Sequence, residues 1–246
     1  MRKQSRQPYF KNIVANNKPL PYMIKKQITY LNGMRVTFVI NDANEHLQRH
    51  WNAGTFYEAG MLEFIRQRWA TRDEHKIFID AGACIGNHSL FFSCIMHRIV
   101  IAIEPNPDSA NILERNRHEN YNEGARHIRL SRCALGDKPG IKHLVNYHAG
   151  NIGMWHISDE GNNPVPVHTL DEIINGFEVA VIKIDVEGYN IPALRGAAET
   201  LRTQHPELYI ECATSAELHE TEQELQQYGY IRHERVFNAT PTYMFY

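Results

Sequence analysis

Residues 77–104 read IFIDAGACIGNHSLFFSCIMHRIVIAIE, and this segment gives the strongest indication of the fold. Its two apolar runs, 77–80 and 98–104, end in the carboxylates Asp80 and Glu104. A turn of small residues and a helix-like segment at 88–96 lie between them. This order predicts two parallel strands joined by a helix, with both carboxylates at the same edge of a sheet.

The alternation of apolar runs and helical patterns continues along the chain. A helix is predicted over 105–120, a strand over 127–135, a strand over 179–185, a helix over 191–202, a strand over 207–212, a helix over 215–229 and a closing pair of strands over 231–246. Apolar runs that alternate with helices are typical of an α/β fold with a mostly parallel sheet covered on both faces.

The pattern divides the chain into two parts. Residues 1–75 are predicted to form a polar arm (1–21), a hairpin (27–40) around Asn32-Gly33, and a lead-in helix within 56–69 that packs on the core. Residues 76–246 are predicted to form the α/β domain. A stretch at about 136–170, rich in Gly, Asn and His, is predicted to be an inserted flap.

Composition excludes several classes of protein. The 246 residues carry 26 Lys and Arg against 28 Asp and Glu, a net charge of −2, so nucleic acid is an unfavourable main partner. The longest apolar stretches are shorter than the ~20 residues that a membrane-spanning helix needs. The basic start lacks an apolar core, which predicts a cytoplasmic protein. The spacing of the four cysteines resembles no disulfide framework.

The turn at 80–86 suits a nucleotide, and two cofactors compete for it. A nicotinamide dinucleotide requires G-x-G-x-x-G, whereas this turn has Gly82-x-x-x-Gly86. S-adenosylmethionine has no pyrophosphate; its amino group suits Asp80, and its carboxylate suits free amides of the turn. Glu104 is placed to accept bonds from both ribose hydroxyls.

Several histidines crowd the predicted flap, including His143, His148, His156 and His168. Zinc requires tighter and more regular spacing, usually with a thiolate, so no metal site is predicted. A neutral imidazole suits proton removal near pH 7, and His148 is a candidate general base.

Four motifs, in order, carry a family resemblance. FIDAGACIGNHSLFF (78–92), IAIEPNPDSANILERN (101–116), VHTLDEI (167–173) and VIKIDVEGYNIPALRGA (181–197) resemble the FkbM family of S-adenosylmethionine-dependent methyltransferases. The resemblance extends from about residue 54 to about residue 212. It implies the Rossmann-like class I methyltransferase fold, a seven-stranded mostly parallel sheet with one antiparallel strand, here with an N-terminal hairpin and helix extension.

The resemblance implies roles for residues at matching positions. The residues implied at the cofactor are Tyr57, Glu58, Asp80, Gly82, Ala83, Gly86, Asn87, Ser89, Glu104, Pro105, Asn106, Ala134 and Leu135. Lys183, Asp185 and Glu187 belong to the motif expected to face the methyl group. This chain has Cys84 and Asn190 where the family usually has Asn and an acid.

The expected reaction is the in-line transfer of a methyl group to an oxygen of a sugar, polyketide or related metabolite. Glu187, at the start of a turn, is the first candidate for the base, and Lys183 is expected to hold Asp185 ionised. An amine or nucleic-acid acceptor, a nicotinamide-dependent oxidoreductase and a nucleotide-binding module without turnover are the alternatives. The oligomeric state is not predicted.

Overall fold

A computed structural model describes residues 24–30, 33–72, 75–146 and 155–246. The strands are β1 (Ile24–Thr29), β2 (Arg35–Ile40), β3 (Ile77–Ala81), β4 (Val100–Ile103), β5 (Ile128–Ser131), β6 (Ala134–Leu135), β7 (Gly140–Asn146), β8 (Trp155–Ser158), β9 (Pro164–His168), β10 (Val179–Ile184), β11 (Glu207–Glu211), β12 (Arg232–Phe237) and β13 (Thr242–Phe245). The α-helices are α1 (Gln48–Asn52), α2 (Ala59–Trp69), α3 (Asn87–Leu90), α4 (Pro107–Glu119), α5 (Leu170–Ile174), α6 (Asn190–Arg195), α7 (Ala198–Thr203) and α8 (Ser215–Gln226). A π-helical segment, Phe91–Ile95, continues α3, and a 3-10 turn, Ala125–His127, precedes β5.

The central sheet has seven strands in the order β12-β13-β11-β10-β3-β4-β5. The strands β10, β11, β3, β4 and β5 pair in parallel, and β13 runs antiparallel to both of its neighbours. Successive residues alternate between two apolar layers: Phe78 packs in one and Ile79 in the other. The predicted seven-stranded sheet with one antiparallel strand is confirmed.

The topology brings four carboxylates to one edge of this sheet. From β3 the chain passes to β4 on one side of β3, and it later returns to β10 on the other side of β3. The crevice between these two connections opens at the carboxyl ends of the strands. Asp80, Glu104, Asp185 and Glu211 all lie at or just after these ends.

The N-terminal hairpin is present, with β1 and β2 paired antiparallel, and helix α4 holds its free edge. Asn116 accepts a hydrogen bond from the Val39 amide at 2.8 Å, and Asn120 accepts one from the Thr37 amide at 2.7 Å. Asn120 also donates to the carbonyl of Thr37 at 2.7 Å. The two asparagines therefore pair with the edge of β2 as a neighbouring strand would.

Three predicted elements differ from the structure. The strand predicted over 127–135 is two strands, β5 and β6, because the chain turns at 132–133 and β6 leaves the central sheet. The flap is a four-stranded sheet in the order β6-β9-β7-β8, called the flap sheet below. The helix predicted over 191–202 is broken at 196–197 into α6 and α7, and a Cβ on Gly196 would lie 2.1 Å from the carbonyl oxygen of Gly136.

Within the described ranges, none of the helices combines the length and the apolar character needed to cross a bilayer.

Candidate active site

A cleft of about 400 Å³ opens at the carboxyl edge of the central sheet. The loops after β3, β4, β10 and β11 form its floor, the flap sheet forms one side, and residues before α1 and α2 form another. Its lining is Glu45, His46, Leu47, Tyr57, Gly82, Cys84, Ile103, Glu104, Pro105, Cys133, Ala134, Leu135, Trp155, Ile157, Asp185, Val186, Glu187, Tyr189, Glu211, Ala213 and Thr240.

The turn after β3 is shaped by its neighbours in the protein. Gly82 has φ +78°, and a Cβ there would lie 1.7 Å from the carbonyl oxygen of Asp185, so the close approach is to the end of β10. The amides of Gly82 and Ala83 donate to the carbonyl of Ile103, each at 3.0 Å.

The next amides of the turn are also engaged. The Cys84 amide donates to the carboxylate of Glu104, and the Gly86 amide donates to the carbonyl of Ala83. The expectation that the turn keeps free amides for a cofactor carboxylate is therefore wrong for Gly82, Ala83, Cys84 and Gly86.

Two backbone amides hold the carboxylate of Glu104 in the lining of the cleft. One of its carboxylate oxygens accepts from the Cys84 amide at 2.8 Å and the other from the Asn106 amide at 2.7 Å. Burial raises the pKa of this carboxyl to about 7, although the two amides lower it in part. Each oxygen has a second lone pair, so the fixed carboxylate can still accept further hydrogen bonds.

The side of the cleft next to Glu104 is mainly apolar. Ile103, Pro105, Cys133, Ala134 and Leu135 line it. The side chain of Asn106 is used elsewhere, since it caps α4 by accepting from the Asp108 amide at 3.0 Å. This side suits a flat apolar ring.

Charged groups cluster below the opposite end of the cleft. Lys183, 1% exposed, donates to Asp185 at 2.8 Å. Burial alone would lower the pKa of Lys183, but the charges of Asp185, Asp80 and Glu58 raise it well above its usual value. Asp80, fully buried, accepts from Ser89 at 2.5 Å through one oxygen; among the described residues its other oxygen has no hydrogen-bond partner.

Two further carboxylates face this end. Glu187 follows β10 in a left-handed conformation, φ +49°, and its pKa is raised to about 7, first by burial and then by the charge of Asp185. The pKa of Glu211 is raised to about 8 by the same two causes. Both carboxyls thus take up and release protons near neutral pH.

The lead-in to α2 is tied to α3. Asn87 accepts from the indole of Trp51 at 2.9 Å and from the Tyr57 amide at 3.0 Å, and it donates to the carbonyl of Tyr57 at 2.9 Å. Its side chain is therefore committed to holding Tyr57 in the wall. Glu58 and His88 form a buried pair at 2.8 Å. Burial and the charge of Glu58 raise the pKa of Tyr57 above its usual value.

The structure separates the predicted site residues into two groups. Those that line the cleft are Tyr57, Gly82, Glu104, Pro105, Ala134, Leu135, Asp185 and Glu187. Those that do not line the cleft are Glu58, Asp80, Ala83, Gly86, Asn87, Ser89, Asn106 and Lys183. His148 lies outside the described residues.

Sequence reasoning missed a wall of the cleft. Glu45, His46 and Leu47 contribute to it from the segment before α1, and Trp155 and Tyr189 contribute from the flap sheet and the turn after β10. The indole of Trp155, within the Gly- and His-rich insertion, is the signal in the sequence that could have indicated this wall. Over the described ranges, His, Cys, Asp and Glu side chains form no group of three suited to a metal ion.

A comparison with protein families identifies the chain. The family described as the methyltransferase FkbM domain matches residues 80–232, well over half of the chain, from Asp80 in β3 to the first residue of β12. The chain belongs to the FkbM methyltransferase family. The predicted resemblance is thereby confirmed, and the predicted oxidoreductase alternative is set aside.

Two related proteins share part of their length with this member of the FkbM family. The hexuronic acid methyltransferase AglP of Haloferax volcanii is 29% identical over 147 residues, 58% of this chain and 59% of that protein. The crystal structure of a methyltransferase FkbM from Methylobacillus flagellatus KT superimposes with a TM-score of 0.56 at 20% identity, over 73% of this chain and 46% of that one. The chain thus spans only about half of the length of these relatives, and the structural likeness concerns the fold.

Proposed function

We propose that this protein transfers a methyl group from S-adenosylmethionine to a hydroxyl of a sugar or related neutral metabolite. The observation that carries the proposal is the pair Glu187 and Glu211, two cleft carboxyls whose pKa values are raised to about 7 and about 8. A general base is most effective when its pKa lies near the working pH. Membership of the FkbM family supports methyl transfer as the chemistry.

The residues present fit the cofactor. Bound S-adenosylmethionine would supply an activated methyl group on a sulfonium. Glu104, fixed by two amides, would accept from the ribose hydroxyls, and the apolar side formed by Pro105, Ala134 and Leu135 would hold the adenine. Asp80 does not line the cleft, so its buried oxygen without a hydrogen-bond partner in the described chain would accept from the amino group through a bridging water.

The opposite end of the cleft suits an uncharged acceptor. Tyr57, Trp155 and Tyr189 line it, and such amphipathic rings pack on sugars while their polar atoms contact hydroxyls. No Lys or Arg is found among the described lining residues, and Asp185, Glu187 and Glu211 make this end of the cleft acidic, which disfavours a phosphate or carboxylate acceptor. AglP is named for a hexuronic acid. We infer a sugar acceptor here too, but one that presents a neutral hydroxyl to the acidic end.

In the proposed reaction, Glu187 takes the proton of the acceptor hydroxyl while the oxygen bonds to the methyl carbon and the bond from carbon to sulfur breaks. Lys183 and Asp185 hold the end of β10 in position below the reacting groups. Alignment of two bound reactants accounts for most of the rate, up to ~7–11 kcal/mol of the barrier.

An amine acceptor is the second candidate, because the same carboxylates would attract a cationic ammonium and accept its proton. The test is transfer of radiolabelled methyl from S-adenosylmethionine to separate panels of neutral glycans, hexuronic acids, amines and RNA. We expect label in the neutral glycans, in a linkage that resists mild alkali, as an ether does and an ester does not. Label confined to the amines would contradict a hydroxyl acceptor, label confined to RNA would contradict a sugar or related metabolite as the acceptor, and absence of label from every panel would contradict the proposal.

A further inference from the structure

A side chain of the flap sheet, His156, contacts the turn that carries Glu187. On β8, Trp155 and Ile157 line the cleft, and His156 between them points the other way because side chains alternate along a strand. Nδ1 of His156 lies 3.1 Å from the carbonyl oxygen of Glu187. A carbonyl only accepts, so Nδ1 carries the proton in this contact.

The turn at 187–188 requires support. Glu187 has φ +49° and Gly188 has φ +80°, two consecutive residues in the left-handed region. That region costs a residue with a side chain roughly 1–3 kcal/mol and persists where surrounding contacts hold it. The hydrogen bond from His156 is such a contact, and it comes from a part of the chain 31 residues away.

We propose that His156 is a positioning residue that holds the Glu187 turn in its left-handed conformation and so aims the Glu187 carboxylate into the cleft. The flap sheet then contributes to the reaction as well as to the cleft wall. The consequence for transfer depends on the proposed function, whereas the coupling between the two residues does not.

The charges around Glu187 define the expected electrostatic effect. Asp185, Glu211 and Glu217 oppose its ionised form, and Lys183 and His156 favour it. Loss of the imidazole removes one of the two favourable groups, so the pKa of the Glu187 carboxyl should rise. Loss of the hydrogen bond should in addition disorder the turn.

The two effects can be separated by substitution. His156→Asn keeps an amide donor near the position of Nδ1 but lacks the imidazole, and His156→Ala lacks both the donor and the imidazole. His168→Ala is the matched control, since His168 is half-exposed on β9 of the same sheet and its ion-pair partner, Glu172 at 3.6 Å, lies outside the cleft. Each variant is compared in the full chain, with binding of S-adenosylhomocysteine measured by calorimetry.

The first measurement needs no acceptor. Carbon NMR of protein labelled at the Glu carboxyl groups follows the titration of Glu187, assigned by the loss of its signal in Glu187→Gln. We expect its midpoint to rise by about half a pH unit or more in His156→Ala and His156→Asn, and to stay unchanged in His168→Ala. An unmoved midpoint in both His156 variants overturns the inference, whatever a transfer assay gives.

The second measurement is turnover with an acceptor that becomes labelled. We expect kcat to fall about tenfold or more in His156→Ala, to recover in large part in His156→Asn, and affinity for S-adenosylhomocysteine to stay within about twofold in both. Equal losses of kcat in His156→Asn and His156→Ala would show that the hydrogen bond does not position Glu187. If the Glu187 midpoint shifts in the His156 variants but Glu187→Gln turns over normally, the coupling between the two residues stands and Glu187 is not the base.

Discussion

The amide of Cys84 donates a hydrogen bond of 2.8 Å to the carboxylate of Glu104, so the turn after β3 holds the acid after β4. The Asn106 amide holds the other carboxylate oxygen at 2.7 Å. The carboxylate is thus oriented by the protein before any ligand arrives, which reduces the entropy that binding must supply.

Glu104→Gln should weaken binding of S-adenosylhomocysteine at least about tenfold, because hydrogen bonds to a charged group contribute ~1.5–3 kcal/mol each. The Gln amide keeps the shape of the side chain, but its NH2 group faces one of the two backbone amides from which Glu104 accepts, so the free energy of unfolding should also fall by ~1–3 kcal/mol. Calorimetric titration and urea denaturation measure the two quantities. Glu178→Gln, on an exposed side chain remote from the cleft, is the control; unchanged affinity in Glu104→Gln would place the ribose elsewhere.

Gly82→Ala should abolish cofactor binding and destabilise the protein. The new Cβ would lie 1.7 Å from the Asp185 carbonyl oxygen at a φ of +78°, so the end of β10 must move away from the turn. The backbone conformation alone costs ~1–3 kcal/mol. Gly60→Ala is the matched control, because Gly60 lies in α2 with open space around it and should gain ~0.5–1 kcal/mol. Normal binding in Gly82→Ala would contradict this account of the turn.

Asn116→Ala should destabilise the protein by ~2–4 kcal/mol, since it leaves the Val39 amide and the Ile85 carbonyl without their partner. Urea denaturation measures the loss. Asn111→Ala, on the same helix, removes a contact with Arg132 at the surface and should change stability by less than ~0.5 kcal/mol. Equal effects of the two substitutions would show that the hairpin needs no anchor on α4.

The sequence predicted the central sheet and the carboxylates at its edge because both follow from local patterns. Buried parallel strands appear as short apolar runs, and an acid directly after such a run must lie at the carboxyl edge. Asp80, Glu104 and Asp185 were placed in this way.

No local pattern in the sequence marks the asparagines that pair with β2, or the cleft wall that includes residues 45–47. Asn116 and Asn120 look like polar residues on the solvent face of a helix, and only the tertiary structure reveals that they pair with β2. Likewise, Glu45 precedes Glu104 by 59 positions, and no periodicity connects them. The prediction of free amides in the turn was wrong for a related reason: the amides of Gly82, Ala83 and Cys84 donate to Ile103, at the end of the adjacent strand, and to Glu104, directly after it.

The empty protein should be more stable at pH 6.5 than at pH 8.5. Glu104, Glu187 and Glu211 have pKa values raised to about 7, about 7 and about 8 from 4.5, so over this range the folded chain holds protons that the unfolded chain has released. The free energy of unfolding therefore falls as pH rises. Urea denaturation at both values checks the direction, and Glu211→Gln should reduce the difference. A larger difference in that variant would refute the assignment of the proton uptake to Glu211.

Glu187→Gln and Asp185→Asn should have unequal effects. Glu187 lies in the turn beyond β10 with a pKa suited to a base, so its substitution should lower turnover ~10²-fold with little change in affinity for S-adenosylhomocysteine. Asp185 is the hydrogen-bonded partner of the buried Lys183, and its substitution leaves that ammonium without its bonded carboxylate, which should weaken both affinity and stability. Single-turnover transfer, calorimetry and denaturation of each variant give the three quantities. If Glu187→Gln retains normal turnover while Asp185→Asn does not, the proton goes to Glu211 or to another group of the cleft, and Glu211→Gln is the next variant to measure.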